Sequence, residues 1–437
     1  MPLDQFEPLK SSAPLIVYID YKSPYAYLAI EPTYAMAEEL GIEIDWRPFT
    51  LDITSYLGSA RLDQAGKVVE ERRSSGQWAR VKYAYYDVRR YGSLRSMTIR
   101  GAVKMWDSSL AGIGMMWAKA QGPRTLRAYS ALVYERFWRR ELDLEDARVI
   151  ERVLNEAGAH TSGFQGYTAG EGRAAYERLQ RSAFDAGIFG VPSYVIDGEL
   201  FFGREHLPRM RWMLTGRHGA PPDIAYPAAS NHNTASGKVA QSSLPVVIDF
   251  KSPQAYLGVA PTCAFAKELG ITIDWRPFVV APSKFVPGPE EDRSTRHRRI
   301  RSDYLERDVF RYAADRGLPM NRLRERQDST LAAIGLLWVK WQAPVQAQAF
   351  VERIFSDYWA GRLDIEDELS IRGVLAESGV SLSGFESFAT SDGRIELDRI
   401  QTELRERGVF DVPTYVLGDE IFFGRQHLPL LRARLSS

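Results

Sequence analysis

Cysteine is almost absent from this chain: 437 residues contain one, Cys263. A single thiol excludes a disulfide framework and an intramolecular CxxC redox pair. It falls in the first helix of the second half, where the first half has Tyr34, and reads as a buried structural residue. Net charge is also missing, because 56 Lys+Arg balance 56 Asp+Glu. That balance gives no electrostatic reason to expect nucleic acid or an anionic membrane as partner. No apolar run approaches the roughly 18 residues of a membrane span, and Met1 to Lys10 has neither a basic nor an apolar leader segment, so a cytoplasmic location is expected. There is no Gly-rich phosphate loop and no GxSxG elbow. With one matched histidine per half, His206 and His427, and no cysteine beside either, no metal site is expected.

What the chain has instead is itself, twice. Asp20-Tyr21-Lys22-Ser23-Pro24-Tyr25-Ala26-Tyr27-Leu28 returns 229 residues later as Asp249-Phe250-Lys251-Ser252-Pro253-Gln254-Ala255-Tyr256-Leu257. Gly190-Val191-Pro192-Ser193-Tyr194-Val195 returns as Asp411-Val412-Pro413-Thr414-Tyr415-Val416 at an offset of 221. A repeat of this length is a whole domain copied once, not a solenoid unit. The offset falls from 229 at Trp46/Trp275 to 221 at Tyr83/Tyr304, so the second copy lacks eight residues in the loop after the second strand. The expected division is a first copy at 13–214, a Pro/Ala/Ser/Asn-rich linker at 215–243, and a second copy at 244–437.

Within a copy, Leu15 to Ile19 reads as a buried strand and Pro24 to Leu40 as a helix opened by Ser23 and closed by Gly41. A second strand follows at Ile42 to Arg47. The pattern is helical from about Gln77 to Ala183, then Ser193–Ile196 and Glu199–Phe202 form a hairpin about Asp197-Gly198, and a last helix starts near His206. This order describes an α/β domain with an all-helical insertion. The matched tryptophans Trp46, Trp117 and Trp138, with Trp275, Trp338 and Trp359, read as core. The run Arg296-His297-Arg298-Arg299, preceded by Glu290-Glu291-Asp292, reads as a solvated, self-compensating helix face.

Three groups can carry chemistry. Ser23 and Ser252 each stand at a strand-to-helix junction, where a hydroxyl caps the helix or donates to an anion beside free N–H groups. Val191-Pro192 and Val412-Pro413 open a strand, either as ordinary trans bonds or as cis bonds that present their backbone to an extended ligand. Arg80, Tyr83, Asp87 and Arg90, repeated as Arg301, Tyr304, Asp308 and Arg311, lie along one helical stripe. Such a stripe presents a phenol and guanidiniums to an acidic substrate, or forms a salt-bridge ladder. Asp107-Ser108-Ser109 and Asp328-Ser329-Thr330 read as helix caps.

In these residues the chain resembles the 2-hydroxychromene-2-carboxylate isomerase family, relatives of kappa-class glutathione transferases in the DsbA-like thioredoxin superfamily. The resemblance rests on Asp-x-x-Ser-Pro-x-x-Tyr-Leu, Trp-Arg-Pro-Phe, Tyr-x-x-x-Asp-x-x-Arg and a Val-Pro strand followed by Phe-Phe-Gly, in this order, in both copies. It implies two tandem thioredoxin-like domains, each with an all-helical insertion, and glutathione as the cofactor. By that likeness Ser23 and Ser252 stabilise the glutathione thiolate, while Pro24, Val191, Pro192 and Glu205, with Pro253, Val412, Pro413 and Gln426, hold the tripeptide. The helical stripe then meets a small aromatic or conjugated acid, the implied substrate. Arg80 and Arg301 replace a family lysine, and Glu205-His206 and Gln426-His427 replace an acidic-Arg pair. Loss of the carboxylate at Gln426 makes the first copy the better expected site. The copies are expected to pair within the chain as a pseudo-dimer, or between chains as a homodimer. Two other readings use the same residues: a catalytically silent thioredoxin-fold module that binds a peptide or partner protein, and a thiol oxidoreductase acting through glutathione.

Overall fold

The computed structural model describes residues 7–62, 68–226, 241–281, 292–321 and 327–435. The chain folds as two compact units, Met1–Pro222 with Gly288–Ser302, and Asp223–Pro287 with Asp303–Ser437. These units do not coincide with the boundaries of the copies. Asp223, in the expected linker, belongs to the second unit, and the start of the second copy's long helix belongs to the first.

In the first unit, β1 (Leu15–Ile19) is buried along its whole length. Ser23 then caps α1 (Pro24–Leu40), accepting a 3.2 Å bond from the Ala26 N–H, and Pro24 takes the first turn, where its missing N–H costs nothing. Gly41 closes the helix in the left-handed conformation, and β2 (Ile44–Pro48) follows. The loop after β2 holds structure that the sequence pattern did not announce: α2 (Thr54–Leu57) and an antiparallel hairpin of β3 (Ser59–Leu62) and β4 (Val68–Arg72). Six helices come next: α3 (Ser75–Ser93), α4 (Ser109–Lys119), α5 (Pro123–Trp138), α6 (Ala147–Glu156), α7 (Phe164–Ala169) and α8 (Glu171–Asp185). A capping box of Ser74 and Gln77 starts α3. The chain then returns to the sheet as β5 (Ser193–Ile196) and β6 (Glu199–Phe202) and ends in α9 (Leu207–Leu214).

The sheet order is β2-β1-β5-β6, with β1 parallel to β2 and antiparallel to β5. The single parallel pair requires the α1 crossover, and the DG turn closes β5 to β6. The helical insertion packs tightly on α4. A Cβ on Gly114 would lie 2.3 Å from the Tyr129 hydroxyl of α5 and 2.8 Å from Ile150 of α6, so only glycine lets the three helices close.

The second unit repeats the plan with β7 (Ser243–Ile248), α10 (Pro253–Leu269), β8 (Thr272–Pro277), α11 (Arg293–Asp315), α12 (Thr330–Gln342), α13 (Ala347–Trp359), α14 (Glu368–Glu377), α15 (Phe385–Thr390), α16 (Asp392–Glu406), β9 (Thr414–Leu417), β10 (Glu420–Phe423) and α17 (Leu428–Leu435). Residues 293–302 of α11 count with the first unit. The sheet order is β10-β9-β7-β8, the same arrangement. Trp46, Trp138, Trp275, Trp338 and Trp359 are buried, whereas Trp117 is partly exposed. Cys263 is half-buried, not buried as the sequence suggested. Its face of α10 meets α13, where the Glu352 carboxylate lies 3.5 Å away; burial and then that charge push the thiol up to about 12. No described helix is long and apolar enough to cross a membrane.

One hydroxyl ties α1 to the sheet. Thr33 Oγ1 donates to the Ala29 carbonyl (2.6 Å) and meets the buried Tyr194 hydroxyl at 3.1 Å, and Thr262 and Tyr415 repeat the pair at 2.7 Å. Replacing Thr33 by valine keeps the shape and strands the phenol, so Thr33→Val should destabilise the fold by about 1–3 kcal/mol. Urea denaturation should show that loss, and Tyr194→Phe in the same chain should recover much of it.

Candidate functional site

The site of the first unit is built on a buried carboxylate. Asp20, at the end of β1, is 3% exposed. Its Oδ1 accepts from the Lys22 N–H (3.1 Å) and the Ser108 hydroxyl (2.6 Å), and its Oδ2 accepts from the Leu51 N–H (2.7 Å). The Lys22 ammonium, itself almost buried, lies 3.6 Å away. Three segments are thereby fixed on one group: the Ser-Pro turn, the loop after β2, and the start of α4. The second unit repeats each bond, with Asp249 accepting from Lys251, Ser329 and Val280. Ser108 and Ser329 were read as caps in the sequence, but neither makes a capping bond. The capping is done by Asp107 and Asp328, which accept from the N–H groups of Ser109 and Thr330.

The insertion supports the turn from behind. Trp138 Nε1 donates to the Tyr21 carbonyl (3.2 Å) and the Tyr134 hydroxyl to the Asp20 carbonyl (3.1 Å). Trp359 makes the same bond to Phe250 (3.1 Å), while Phe355 stands where Tyr134 would. The turn thus delivers Ser23, 4% exposed, to the N-terminus of α1, where the helix dipole favours negative charge.

The proline strand lies alongside. Tyr18 pairs with Ser193, so the register carries Pro192 to the end of β1 beside this turn, and the Val191–Pro192 bond is cis, as is Val412–Pro413. The Pro192 carbonyl accepts from the Gly203 N–H at 2.9 Å, and Pro413 from Gly424 at 2.8 Å. Gly203 has φ +107°, and a Cβ there would meet the Glu205 carboxylate at 2.2 Å, so Glu205 folds back over a position that only glycine suits. Gln426 occupies the matching place, with Nε2 donating to the Phe423 carbonyl at 3.0 Å.

The helical stripe does not act as one surface. Arg80 is exposed and Tyr83 half-buried, whereas Asp87 and Arg90 are buried and joined at 3.1 Å. The Tyr25 hydroxyl donates to Asp87 at 3.3 Å. In the second copy Arg311 bonds Asp308 at 2.5 Å and Tyr304 is buried, while Arg301 belongs to the first unit. The reason is periodicity: nearly three helical turns separate the ends of the stripe, and α3 rolls from solvent into the core over that length.

The first unit also contains residues that the sequence pattern hid. Tyr56, in α2, stacks on the His297 ring at 4.5 Å and 5°, and His297 Nε2 lies 2.9 Å from the Phe189 carbonyl, three residues before Pro192. Arg293 pairs with Asp52 (3.2 Å) and Arg296 with Asp185 (2.7 Å). The basic run is therefore not a solvated face throughout: His297 is 8% exposed. Glu290 and Glu291, its expected compensators, lie outside the described residues. Burial, and then the charges of Arg301 and Arg293, hold His297 below its ordinary value against the pull of the Phe189 carbonyl. A neutral ring beside a carbonyl carries its proton on Nε2. Nothing local marks His297, because its neighbours are distant in sequence. Among the described residues no cluster of His, Cys, Asp and Glu suits a metal ion.

Asp87 gives the site a pH signature. Burial raises its carboxyl to about 6, against the Arg90 and Arg204 guanidiniums and the Tyr25 hydrogen bond. Since the folded value lies above the unfolded one of about 4, the contribution is complete below pH 4 and is lost as pH rises through 6, a change on the order of 3 kcal/mol. Urea midpoints of wild type and Asp87→Asn should therefore diverge between pH 4 and 6.5, with the variant gaining relative stability at the higher pH.

Comparison with known proteins agrees with this architecture. The family model of the DSBA-like thioredoxin domain matches residues 14–214 and 244–436. A 2-hydroxychromene-2-carboxylate isomerase of Pseudomonas putida is 32% identical over 189 residues, covering 43% of this chain and 91% of that protein. Another protein of that name, from Sphingobium xenophagum, is 28% identical over 190 residues, covering 43% and 94%. A solved structure of 2-hydroxychromene-2-carboxylate isomerase aligns at 27% identity and a TM-score of 0.37, covering 44% of this chain and 93% of that one. Each of these proteins thus corresponds to about one copy.

Proposed function

Because the chain belongs to the 2-hydroxychromene-2-carboxylate isomerase family of DSBA-like thioredoxin domains, we propose that it is a glutathione-dependent isomerase or transferase acting on an aromatic or conjugated small acid. The observation that carries this reading is Ser23: a buried hydroxyl at the N-terminus of a 17-residue helix, in the turn that follows β1, with the cis-proline strand paired to β1. The helix N-terminus and a donating hydroxyl both favour a negatively charged atom. Neither copy has a cysteine at the place, so the protein has no thiol there for disulfide exchange of its own.

The residues suit a thiolate and an extended tripeptide. Ser23 Oγ accepts from the Ala26 N–H, which leaves its own proton to donate outward. A hydrogen bond to an ionised sulfur, reinforced by the helix dipole, lowers the pKa of a bound thiol. Val191 and Pro192 offer backbone to the peptide, and Glu205, whose carboxylate lies over Gly203, is assigned to its ammonium. Bound glutathione supplies a nucleophilic sulfur whose reversible addition to a conjugated double bond frees that bond to rotate. The chain's part is to keep the sulfur ionised, hold the turn rigid through Asp20, and place the acid against α3. Ser252, Pro253, Val412 and Pro413 take the same parts in the second unit, where the neutral Gln426 stands in the place of Glu205. Tyr83 and Arg80, with Tyr304 in the second copy, are the stripe residues assigned to the substrate, and the pairs Asp87–Arg90 and Asp308–Arg311 brace the helices that carry them.

Ser23→Ala should weaken glutathione binding at pH 7 and lower kcat/KM for a conjugated aryl pyruvate by roughly 10- to 100-fold, the worth of a hydrogen bond to a charged group. Calorimetry and the ultraviolet spectrum of bound thiolate would check both. Unchanged affinity and turnover in the Ser23→Ala/Ser252→Ala chain would remove the thiolate role.

A further inference from the structure

Sheet topology brings three segments to one edge of the first unit. β2 runs parallel to β1 and β5 antiparallel to it, so the end of β2, the end of β1 and the start of β5 lie together, with the Ser-Pro turn in the middle. The two outer segments, the loop after β2 and the stretch leading to Pro192, are bridged by the first turns of α11, which belong to this unit. Arg293 pairs with Asp52 and lies over the Phe184 ring at 4.5 Å, the Ser294 hydroxyl donates to the Ser55 carbonyl, and Arg296 pairs with Asp185. His297 stands at the centre of this bridge, one face on the Tyr56 ring and Nε2 against the Phe189 carbonyl.

Two polar atoms of the bridge are left over. His297 Nδ1 is buried and has no hydrogen-bond partner among the described residues. The ring carries its proton on Nε2, so Nδ1 is an acceptor, and a buried acceptor left unmet is a cost that an incoming N–H removes. The Tyr56 hydroxyl likewise makes no hydrogen bond among the described residues, and part of this side chain remains exposed. Burial first, then the charges of Asp20 and Asp52, raise the phenol above its ordinary value, so at neutral pH it keeps its proton and is a donor. Those two carboxylates are already paired, Asp20 with Lys22 and Asp52 with Arg293. The charge of Arg301 acts on both Tyr56 and His297. A donor and an acceptor therefore stand together where a cation favours a negative group.

An amide N–H next to a carboxylate answers this pair, and the C-terminal glycyl unit of an extended tripeptide has both. We propose that Tyr56 and His297 form the subsite for the glycyl residue of glutathione in the first unit, the phenol donating to its carboxylate and His297 Nδ1 accepting from its amide. The inference rests on the glutathione reading above and extends it to the end of the ligand opposite the ammonium assigned to Glu205. It also gives the duplication a consequence: His297 lies in the second copy, so the first unit's site is complete only in the fused chain.

The test is calorimetric titration at pH 7 with reduced glutathione and, separately, with γ-glutamylcysteine, which has the same thiol and ammonium but no glycyl residue. The full chain carries Ser252→Ala, so that binding is read at the first unit. With Tyr56 and His297 intact, glutathione should bind more tightly than γ-glutamylcysteine. Tyr56→Phe and His297→Gln should each weaken glutathione by about threefold to tenfold, the worth of one hydrogen bond, and leave γ-glutamylcysteine unchanged. The glutamine keeps a donor for the Phe189 carbonyl, and retained γ-glutamylcysteine binding reports an intact site. The two changes together should abolish the preference. Equal weakening of both probes marks a structural role and overturns the proposal, as does a preference that survives in the double variant. Ser23→Ala separates this from the thiolate role, because it should weaken both probes and keep the preference. If Ser23→Ala acts so while Tyr56→Phe/His297→Gln changes nothing, the glycyl subsite falls alone; if neither probe binds at millimolar concentration, both readings fall.

Discussion

The buried carboxylates Asp20 and Asp249 hold each unit's site together. A charge so far from water is tolerable only when it is paired and its oxygens are satisfied, and each of these has an ammonium, two backbone N–H groups and a serine hydroxyl around it. The donors come from three distant stretches of chain. Satisfying one residue therefore fixes the strand end, the Ser-Pro turn, the loop after the second strand and the start of α4, or of α12 in the second unit. The tryptophan behind the turn, Trp138 or Trp359, secures the turn's next carbonyl. Ser23 and Ser252 inherit their positions from this network.

Duplication gave one architecture two different environments. The core contacts persist: the Thr33–Tyr194 and Thr262–Tyr415 pairs, the cis prolines, the glycines whose N–H groups donate to the proline carbonyls. The rim has diverged. Tyr25 donates to Asp87 in the first unit, whereas Gln254 in the second accepts from Arg425. The first unit contains Tyr56, His297 and a hairpin in the loop after the second strand, and the second has the Asp223 carboxylate between two arginines. Core residues constrain one another through packing, so change there is costly, while the rim can be altered one side chain at a time.

Much of this was legible in the residues. Alternating apolar residues marked β1, Ser23-Pro24 and Gly41 bounded α1, and Asp197-Gly198 marked the β5–β6 hairpin, because each signal is local and backbone-driven. Comparing the copies also singled out Asp-x-x-Ser-Pro and Asp-Ser-Ser before any contact between them was visible. What the pattern misread were roles that depend on a distant partner. Ser108 looks like a cap and bonds Asp20, 88 positions away; Asp87 and Arg90 look like a continuation of an exposed ladder and are buried.

The sequence by itself determined the twofold repeat, the α/β plan with its helical insertion, and the serine, not cysteine, at the head of each copy's first helix, since composition, periodicity and self-comparison suffice for these. Only the tertiary structure decided which side chains share a site. Electrostatic and hydrogen-bond partnership acts over a few ångströms in space, and no spacing rule links Asp223 to Arg425 or Tyr56 to His297. Those pairings exist because the folded backbone carries the groups within reach, and the cost of burying them makes the partnership obligatory.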